Sequence, residues 1–425
     1  MNILFVVPSF PNRVSEYLIL PSIELCIQSS ILKKMGHNVE LFDMKINNSN
    51  VNELINYIKN KNYKFNLILI DDDSKSHCTT KILLPKLKEL QNDTLIGLRG
   101  EIASALPEIT LDRNPELDFV LIYDDDYALS NLIRHWGNEK ELNLINNIAF
   151  RKNGIIIKNN ILQKYYDINT LPYPDRNLYD IKEYLKRDSE TIVKSSRGCP
   201  GNCLFCVKTK MEPFQIFSIQ RFCDEIEELI KMGFESFFFS DDTFAFSDKR
   251  IEEFANEVKK RNLKIKWTSN IRIKDINDNK IRLMRSIGAY RVFVGIETIN
   301  EETSKQINKR LTNFEIKEKL SILKKYGMEY HASFILGNPN DTEKDLENLV
   351  EFVKEIKPTL VTFNLIKVFP GTPIYNNPEK YGIILKDKYW YEKDDWSHQV
   401  IAYTKNLSAE KLKKWSKRLL FEFVS

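Results

Sequence analysis

The 425-residue chain carries 63 Lys and Arg against 59 Asp and Glu, and this net charge of +4 is too small and too evenly interspersed to argue for a nucleic-acid partner. Hydrophobic residues make up 42% and charged residues 29%, a soluble globular balance, and no apolar run approaches the roughly 18 residues of a membrane span. The length suffices for two domains with full cores, the opening Met1–Pro8 reads as a strand rather than a signal peptide, and six cysteines, three of them in one loop, do not look like a disulfide framework, so a reducing cytoplasm is the expected compartment.

Residues 1–140 alternate short apolar runs with longer amphipathic ones. Strands are predicted at 3–7, 39–42, 67–70, 94–98 and 119–123, and helices at 21–35, 51–59, 82–91, 103–111 and 128–137. Such alternation implies right-handed crossovers and an α/β fold with a doubly wound parallel sheet, whose ligands bind at the carboxyl ends of the strands. Those ends fall at Pro8–Asn12, Asp43, Asp71–His77, Gly97–Ser104 and Asp124–Asp126. Residues 141–189 read as a hairpin (148–151 and 155–158) and then a Pro-rich linker, Leu171-Pro172-Tyr173-Pro174-Asp175-Arg176.

From 190 to 375 the β-then-α period recurs six times. Strands are predicted at 192–196, 236–240, 264–269, 291–295, 329–336 and 360–366, with helices at 218–232, 249–262, 277–287, 313–326 and 341–356. Six such units read as a partial (β/α)6 barrel, in which active residues gather at the carboxyl ends of the strands. A cysteine loop follows the first strand, Asp241-Asp242-Thr243-Phe244 the second, Asn270 and Arg272 the third, Glu297 the fourth, Gly337-Asn338-Pro339 the fifth and Phe369–Pro373 the sixth. In residues 376–425, Tyr389, Trp390, Tyr391 and Trp396 precede a basic helix. These aromatics would either fold over the barrel mouth or, the reading we favour, form the core of a small C-terminal cap.

The cysteine loop organises the chain: Cys199, Cys203 and Cys206 stand three and two residues apart on a Gly- and Pro-containing stretch. Thiolates so spaced can converge on one iron–sulfur cluster or one metal ion. A four-iron cluster would keep one corner for a ligand that is not protein. The alternative is a structural zinc loop, in a non-catalytic module, with Cys223 or His331 as fourth ligand.

This C-x3-C-x2-C loop, with Phe205 before the last cysteine, resembles that of radical S-adenosylmethionine (SAM) enzymes. The resemblance implies a [4Fe–4S] cluster on Cys199, Cys203 and Cys206, with SAM chelating the open iron and cleaved to a 5′-deoxyadenosyl radical. It implies SAM contacts from Phe205, Ser240, Asp241, Asp242, Asn270, Arg272, Glu297, Gly337 and Pro339: Ser240–Asp242 at the SAM amine, Arg272 at its carboxylate, Glu297 at the ribose, and Gly337 and Pro339 at the adenine wall. The first 140 residues resemble the cobalamin-binding domain of one branch of that family. They share the opening strand and its Pro loop, Gly97–Glu108 and Asn114–Val120, and the Leu-Pro-x-Pro-x-Arg linker follows in the same order. Pro8, Asp72, His77, Gly97, Gly100 and Ser104 are the matching candidates for cobalamin contact, with His77 a possible cobalt ligand. Three departures stand out: the adjacent glycine pair is split into Gly97 and Gly100, the loop after the third strand is acidic, and no D-x-H-x-x-G signature is present. The implied activity is cobalamin-dependent methylation of an unactivated carbon in a small-molecule or peptide substrate, with electrons from a low-potential donor such as flavodoxin or ferredoxin. The runner-up is radical epimerisation, cyclisation or rearrangement without cobalamin.

Overall fold

The computed structural model describes the whole chain except residues 11–20, 124, 163–165, 188–189, 208–212, 395, 397–398 and 424–425. The expected strand ends at residues 11–12 and 124 therefore lie outside the described residues. Two compact units are present: Met1–Asp188 with Met211–Pro213 and Tyr389–Ser397, and Ser189–Lys210 with Phe214–Lys388 and His398–Ser425.

The first unit is built on β1 (Asn2–Val7), β2 (Asn38–Asp43), β3 (Leu67–Asp72), β4 (Leu95–Gly100), β5 (Phe119–Leu121), β6 (Ile148–Lys152) and β7 (Ile155–Lys158), in the order β2-β1-β3-β4-β5-β6-β7. Strands β1–β5 are parallel, and side chains two apart share a face. Leu4, Val6, Ile68, Ile70 and Leu98 face the helices Val51–Lys59 and His77–Leu90. Ile3, Phe5, Val7, Leu67 and Leu69 face the helices Ile23–Lys34 and Ala128–His135. The middle stretches of β1, β3 and β5 are unbroken apolar runs because both faces are covered.

The hairpin expected in the connector belongs to this sheet. Strand β6 pairs antiparallel with β5, and β7 with β6. A hairpin in a linker would leave apolar side chains in water; here Ile148, Ala149 and Phe150 are fully buried. The Pro-rich segment is tied to the same unit: Asp175 accepts from Ser29 Oγ at 2.7 Å and pairs with Lys33 at 2.6 Å.

The aromatics expected as a C-terminal cap also belong to the first unit. Trp396 Nε1 donates to the carbonyl of Ser74 at 2.7 Å, and its ring centroid lies 4.4 Å from that of Trp390. Glu392 takes the guanidinium fork of Arg113 at 2.6 and 2.5 Å and lies 3.3 Å from Lys81.

In the second unit the strands are β8 (Glu190–Val193), β9 (Ser196–Arg197), β10 (Gln215–Ile216), β11 (Ser236–Phe239), β12 (Lys266–Ile271), β13 (Ala289–Glu297), β14 (Glu329–Leu336), β15 (Leu360–Leu365), β16 (Ile383–Leu385) and β17 (Ala402–Thr404). Strands β8, β11, β12, β13, β14 and β15 pair in that order, all parallel, as the partial barrel requires. One face is sealed by the helices, with Phe222, Phe239, Phe244, Phe254 and Trp267 stacked into a single aromatic block behind β11 and β12. The opposite face is half-open: along β13 and β14, Phe293, Gly295, Glu297, His331 and Ser333 alternate with fully buried neighbours.

Of the residues nominated for cobalamin contact, several are held by the fold itself. A Cβ on Gly97 would meet the Phe119 ring at 2.1 Å. Gly100 has φ +130°, and a Cβ there would lie 1.8 Å from the backbone oxygen of Asp72. Since that neighbour is backbone and cannot rotate away, Gly100→Ala is expected to cost more than ~3 kcal/mol in urea unfolding. Ser104 Oγ accepts from the Tyr123 amide at 2.9 Å. Asp72, expected in a loop, ends β3 and accepts from Ser76 and Thr80, each at 3.0 Å. His77, also expected in a loop, begins the helix His77–Leu90 and is 2% exposed. Its Nδ1 lies 2.5 Å from Asp72, and its ring packs edge-on against Tyr391 at 5.5 Å. Buried among these groups, His77 is not presented as a loop ligand for cobalt. Pro8 follows β1 and is buried.

Candidate active site in the second unit

The cysteine loop leaves the sheet at β8 and is fastened at its root. Asp241, just after β11, is fully buried and accepts from the Ser195 amide at 3.1 Å, from Ser195 Oγ at 2.8 Å and from Ser196 Oγ. Arg250 Nη2 donates to the Ser195 carbonyl at 2.8 Å. Beyond this latch, Leu204 N–H donates to the carbonyl of Ile307 at 3.1 Å, and Asn308 Nδ2 to that of Asn202 at 2.7 Å. The loop is thus held from both sides, and Cys199, Cys203 and Cys206 come to border one cavity of about 620 Å³.

Asp242, Asn270, Arg272, Glu297 and Phe205 border the same cavity. Asn270 Nδ2 donates to the Asp241 carbonyl at 3.0 Å, which leaves its oxygen for the cavity. Arg272 gives Nε and Nη2 to Asp275 at 2.6 and 2.8 Å, so the guanidinium plane is fixed. Its Nη1 lies 3.7 Å from where a Gly201 Cβ would be, beside the cysteine loop. Burial pushes the Cys199 thiol up; the Gly201 amide, 3.3 Å from its sulfur, and the Arg272 charge work against that rise.

Four nominated residues lie elsewhere. Asp241 is the loop's latch rather than a cavity residue, because its three donors all come from Ser195 and Ser196. Ser240 is outside the cavity lining, and its Oγ is buried with no hydrogen-bond partner. Gly337, with φ +87°, lets the helix Ala409–Phe423 approach: a Cβ there would meet Leu412 at 2.9 Å. Pro339 is buried, and its carbonyl accepts from Thr303 Oγ1 at 2.5 Å. Within the sequence Asp241-Asp242-Thr243-Phe244, then, only Asp242 faces the cavity. Thr243 donates to Asp275 at 3.2 Å, and Phe244 joins the aromatic block.

The loop after β14 also holds Asp341, whose carboxylate accepts from the Asn338 amide at 3.0 Å. Burial pushes its pKa from 3.8 up to about 8, against those hydrogen bonds. The folded chain therefore holds this proton more tightly than the unfolded chain. The associated stability is full below the ordinary carboxylate range, declines as pH rises through the window up to about 8, and is gone above it. Asp341→Asn mimics the protonated form, and urea midpoints measured from pH 4 to 9 are expected to lose that component of the decline.

Lys309 and His331 are among the cavity residues that were not predicted as SAM contacts. Lys309 lies in the loop after the helix Glu301–Gln306; its Nζ donates to the Gly295 carbonyl at 2.9 Å and is 3.3 Å from Glu297. His331, nominated only as a zinc ligand, stands on β14, with Nε2 3.2 Å from Thr362 Oγ1 and Nδ1 buried without a partner. Burial, and then the charge of Arg291, lowers its pKa, so the ring is neutral near pH 7. The other proposed zinc ligand, Cys223, is fully buried in the helix Ile219–Lys231 with its thiol pushed up to about 12 by burial. Among the described residues no three His, Cys, Asp or Glu side chains converge on a single-ion site.

The chain matches the family model "Radical SAM superfamily" over residues 193–353, the stretch that holds the cysteine loop and the cavity. The second unit carries a radical SAM domain. An uncharacterized methyltransferase of Pyrococcus horikoshii is 23% identical over 382 residues, 88% of this chain and 82% of that protein. An anaerobic magnesium-protoporphyrin IX monomethyl ester cyclase of Cereibacter sphaeroides is 24% identical over 68% of this chain, which spans about half (49%) of that longer protein. The fold is shared with TsrM of Kitasatospora setae, a radical SAM methyltransferase solved with cobalamin and a [4Fe–4S] cluster. Its TM-score is 0.75 at 14% identity, over 97% of this chain and 84% of TsrM. The radical SAM domain and the α/β sheet before it thus follow the order expected from sequence. No helix among the described residues is long and apolar enough to cross a membrane.

Proposed function

We propose that this radical SAM enzyme binds a [4Fe–4S] cluster through Cys199, Cys203 and Cys206, binds SAM in the adjoining cavity, and carries cobalamin on its first unit to methylate an unactivated carbon of a small-molecule or peptide substrate. The observation that carries this reading is one cavity bordered by the thiols of Cys199, Cys203 and Cys206 together with Asp242, Asn270, Arg272 and Glu297. The donor set fits: three soft thiolates on one loop suit iron–sulfur ligation. When bound, the cluster supplies the electron that cleaves SAM, and cobalamin supplies a methyl group.

The chain's own groups do the positioning. Arg272, its plane fixed by Asp275, offers charge to a carboxylate. Asp242 and the Asn270 oxygen can accept from an ammonium, and Glu297 from ribose hydroxyls. At the first unit, the carboxyl ends of the parallel strands provide the platform for cobalamin, and Asp72, Gly97, Gly100, Ser104 and His77 shape that platform through their contacts with one another and with Phe119, Tyr123 and Tyr391. A low-potential donor of the flavodoxin or ferredoxin kind fits the electron requirement.

Anaerobically reconstituted protein given SAM, cobalamin and a strong reductant tests the reading. Methylation predicts 5′-deoxyadenosine and S-adenosylhomocysteine in equal amounts, and cobalt retained through gel filtration. The similarity to a cyclase supports a second reading, radical chemistry without methyl transfer. That reading predicts 5′-deoxyadenosine alone, unaffected by cobalamin. Formation of neither product defeats both.

Arg272→Ala should weaken SAM binding about 10- to 100-fold, the worth of one charge-assisted contact, with iron content unchanged. Arg272→Lys should recover little of it, since an ammonium cannot both hold Asp275 through a fork and face the cavity. Equilibrium dialysis with SAM reads both.

A further inference from the structure

Lys309 is an expensive feature for a loop to keep. Its side chain is 15% exposed, and burial alone disfavours its charge. The backbone around its partners is bent to hold it. Strand β13 shifts register between Gly295 and Glu297, and Glu297 takes φ +71°, which costs a non-glycine residue about 1 kcal/mol. That conformation folds the carboxylate back over Gly295, where a Cβ would lie 2.1 Å from Oε1. Lys309 then receives two anchors, the Gly295 carbonyl and Glu297, and its ammonium stands 6.0 Å from the centre of the Phe205 ring, next to Cys206. The Glu297 carboxylate leads the charges that outweigh the burial, so Lys309 is held as a cation.

We propose that Lys309 is a fixed cation in the wall of the cluster site and makes the cluster easier to reduce. This rests on the cluster reading above. Three thiolates around an oxidised four-iron core leave one net negative charge, and the single electron accepted from a low-potential donor adds a second, with no bond made or broken. A cation buried beside that charge stabilises the reduced form more than the oxidised one. Lys309 is a positioning residue: it acts through the cluster's charge, and Glu297 tempers it.

The test is a mediator titration of the reconstituted full chain, without SAM, followed by electron paramagnetic resonance. Lys309→Met should lower the reduced-to-oxidised ratio at a fixed potential about tenfold, equivalent to 59 mV for one electron. Lys309→Arg should stay near the wild type, and Glu297→Gln, which leaves the cation unopposed, should shift the ratio the other way. An unchanged ratio in Lys309→Met with full iron content overturns the proposal. So does weaker SAM binding with an unchanged ratio, which would make Lys309 a substrate ligand instead. If Lys309→Met fails to load iron, Glu297→Gln decides: no rise in the ratio defeats the idea. Wild-type protein that shows no four-iron signal sinks the underlying cluster reading rather than this one.

Discussion

Replacement of Cys199, Cys203 or Cys206 by Ala is expected to remove 5′-deoxyadenosine formation to below about 0.1% of the wild-type rate, with iron falling from about four atoms per chain to near none. No other cysteine can substitute. Cys26, Cys78 and Cys223 are buried, and Cys223 in particular is packed in a helix with its thiol pushed up to about 12. The three loop cysteines are only half-buried, so each change should alter unfolding free energy by less than ~1 kcal/mol. Cys223→Ala is the mirror control: iron and activity stay, while a small core cavity costs about 1 kcal/mol. Iron assay, thermal melting and product analysis on the four variants separate the two kinds of cysteine. A loop variant that keeps both its iron and its turnover would refute the assignment.

Neighbouring carboxylates should behave as differently. Asp241→Ala strands the Ser195 amide and the hydroxyls of Ser195 and Ser196 without an acceptor in a fully buried place. The expected cost is about 3 kcal/mol or more, enough to loosen the root of the cysteine loop and lower cluster occupancy in consequence. Burial pushes the Asp241 carboxyl upward against the hydrogen bonds from Ser196 and Ser195. Asp242→Ala, one residue on, should leave stability within ~0.5 kcal/mol and the cluster intact while weakening SAM binding. Urea unfolding paired with iron content and SAM dialysis reads both; equal destabilisation by the two changes would contradict the division of labour.

The contrast shows what was readable from sequence. Two adjacent aspartates after a strand announce the rim of a barrel, yet nothing in their order says which one turns inward. That depends on where Ser195 and Ser196 of another strand end, a tertiary fact. Strand and helix periods were legible because both sheets follow simple alternation: β14 runs over the expected 329–336. Strand ends were less so, since Asp71, Asp72, Gly100 and Glu297 continue their ladders under polar side chains that read as loop. Lys309 gave no signal at all, one lysine in a basic chain, because its meaning comes from the left-handed turn at Glu297. The hairpin at β6 and β7 was seen but misplaced: alternation fixes that two strands pair with each other, not which sheet edge they extend.

The segment Tyr389–Ser397 has a consequence for the order of assembly. Ribosomal synthesis delivers the first sheet and the helix His77–Leu90 long before Tyr391 and Trp396 exist, so His77 and Ser74 emerge without the aromatic partners that later cover them. The amino-terminal unit must therefore wait in an unfinished state until residues 389–397 leave the tunnel. A fragment stopped near residue 188 would remain unfinished for good, and grafting residues 389–397 back onto it should raise its melting temperature.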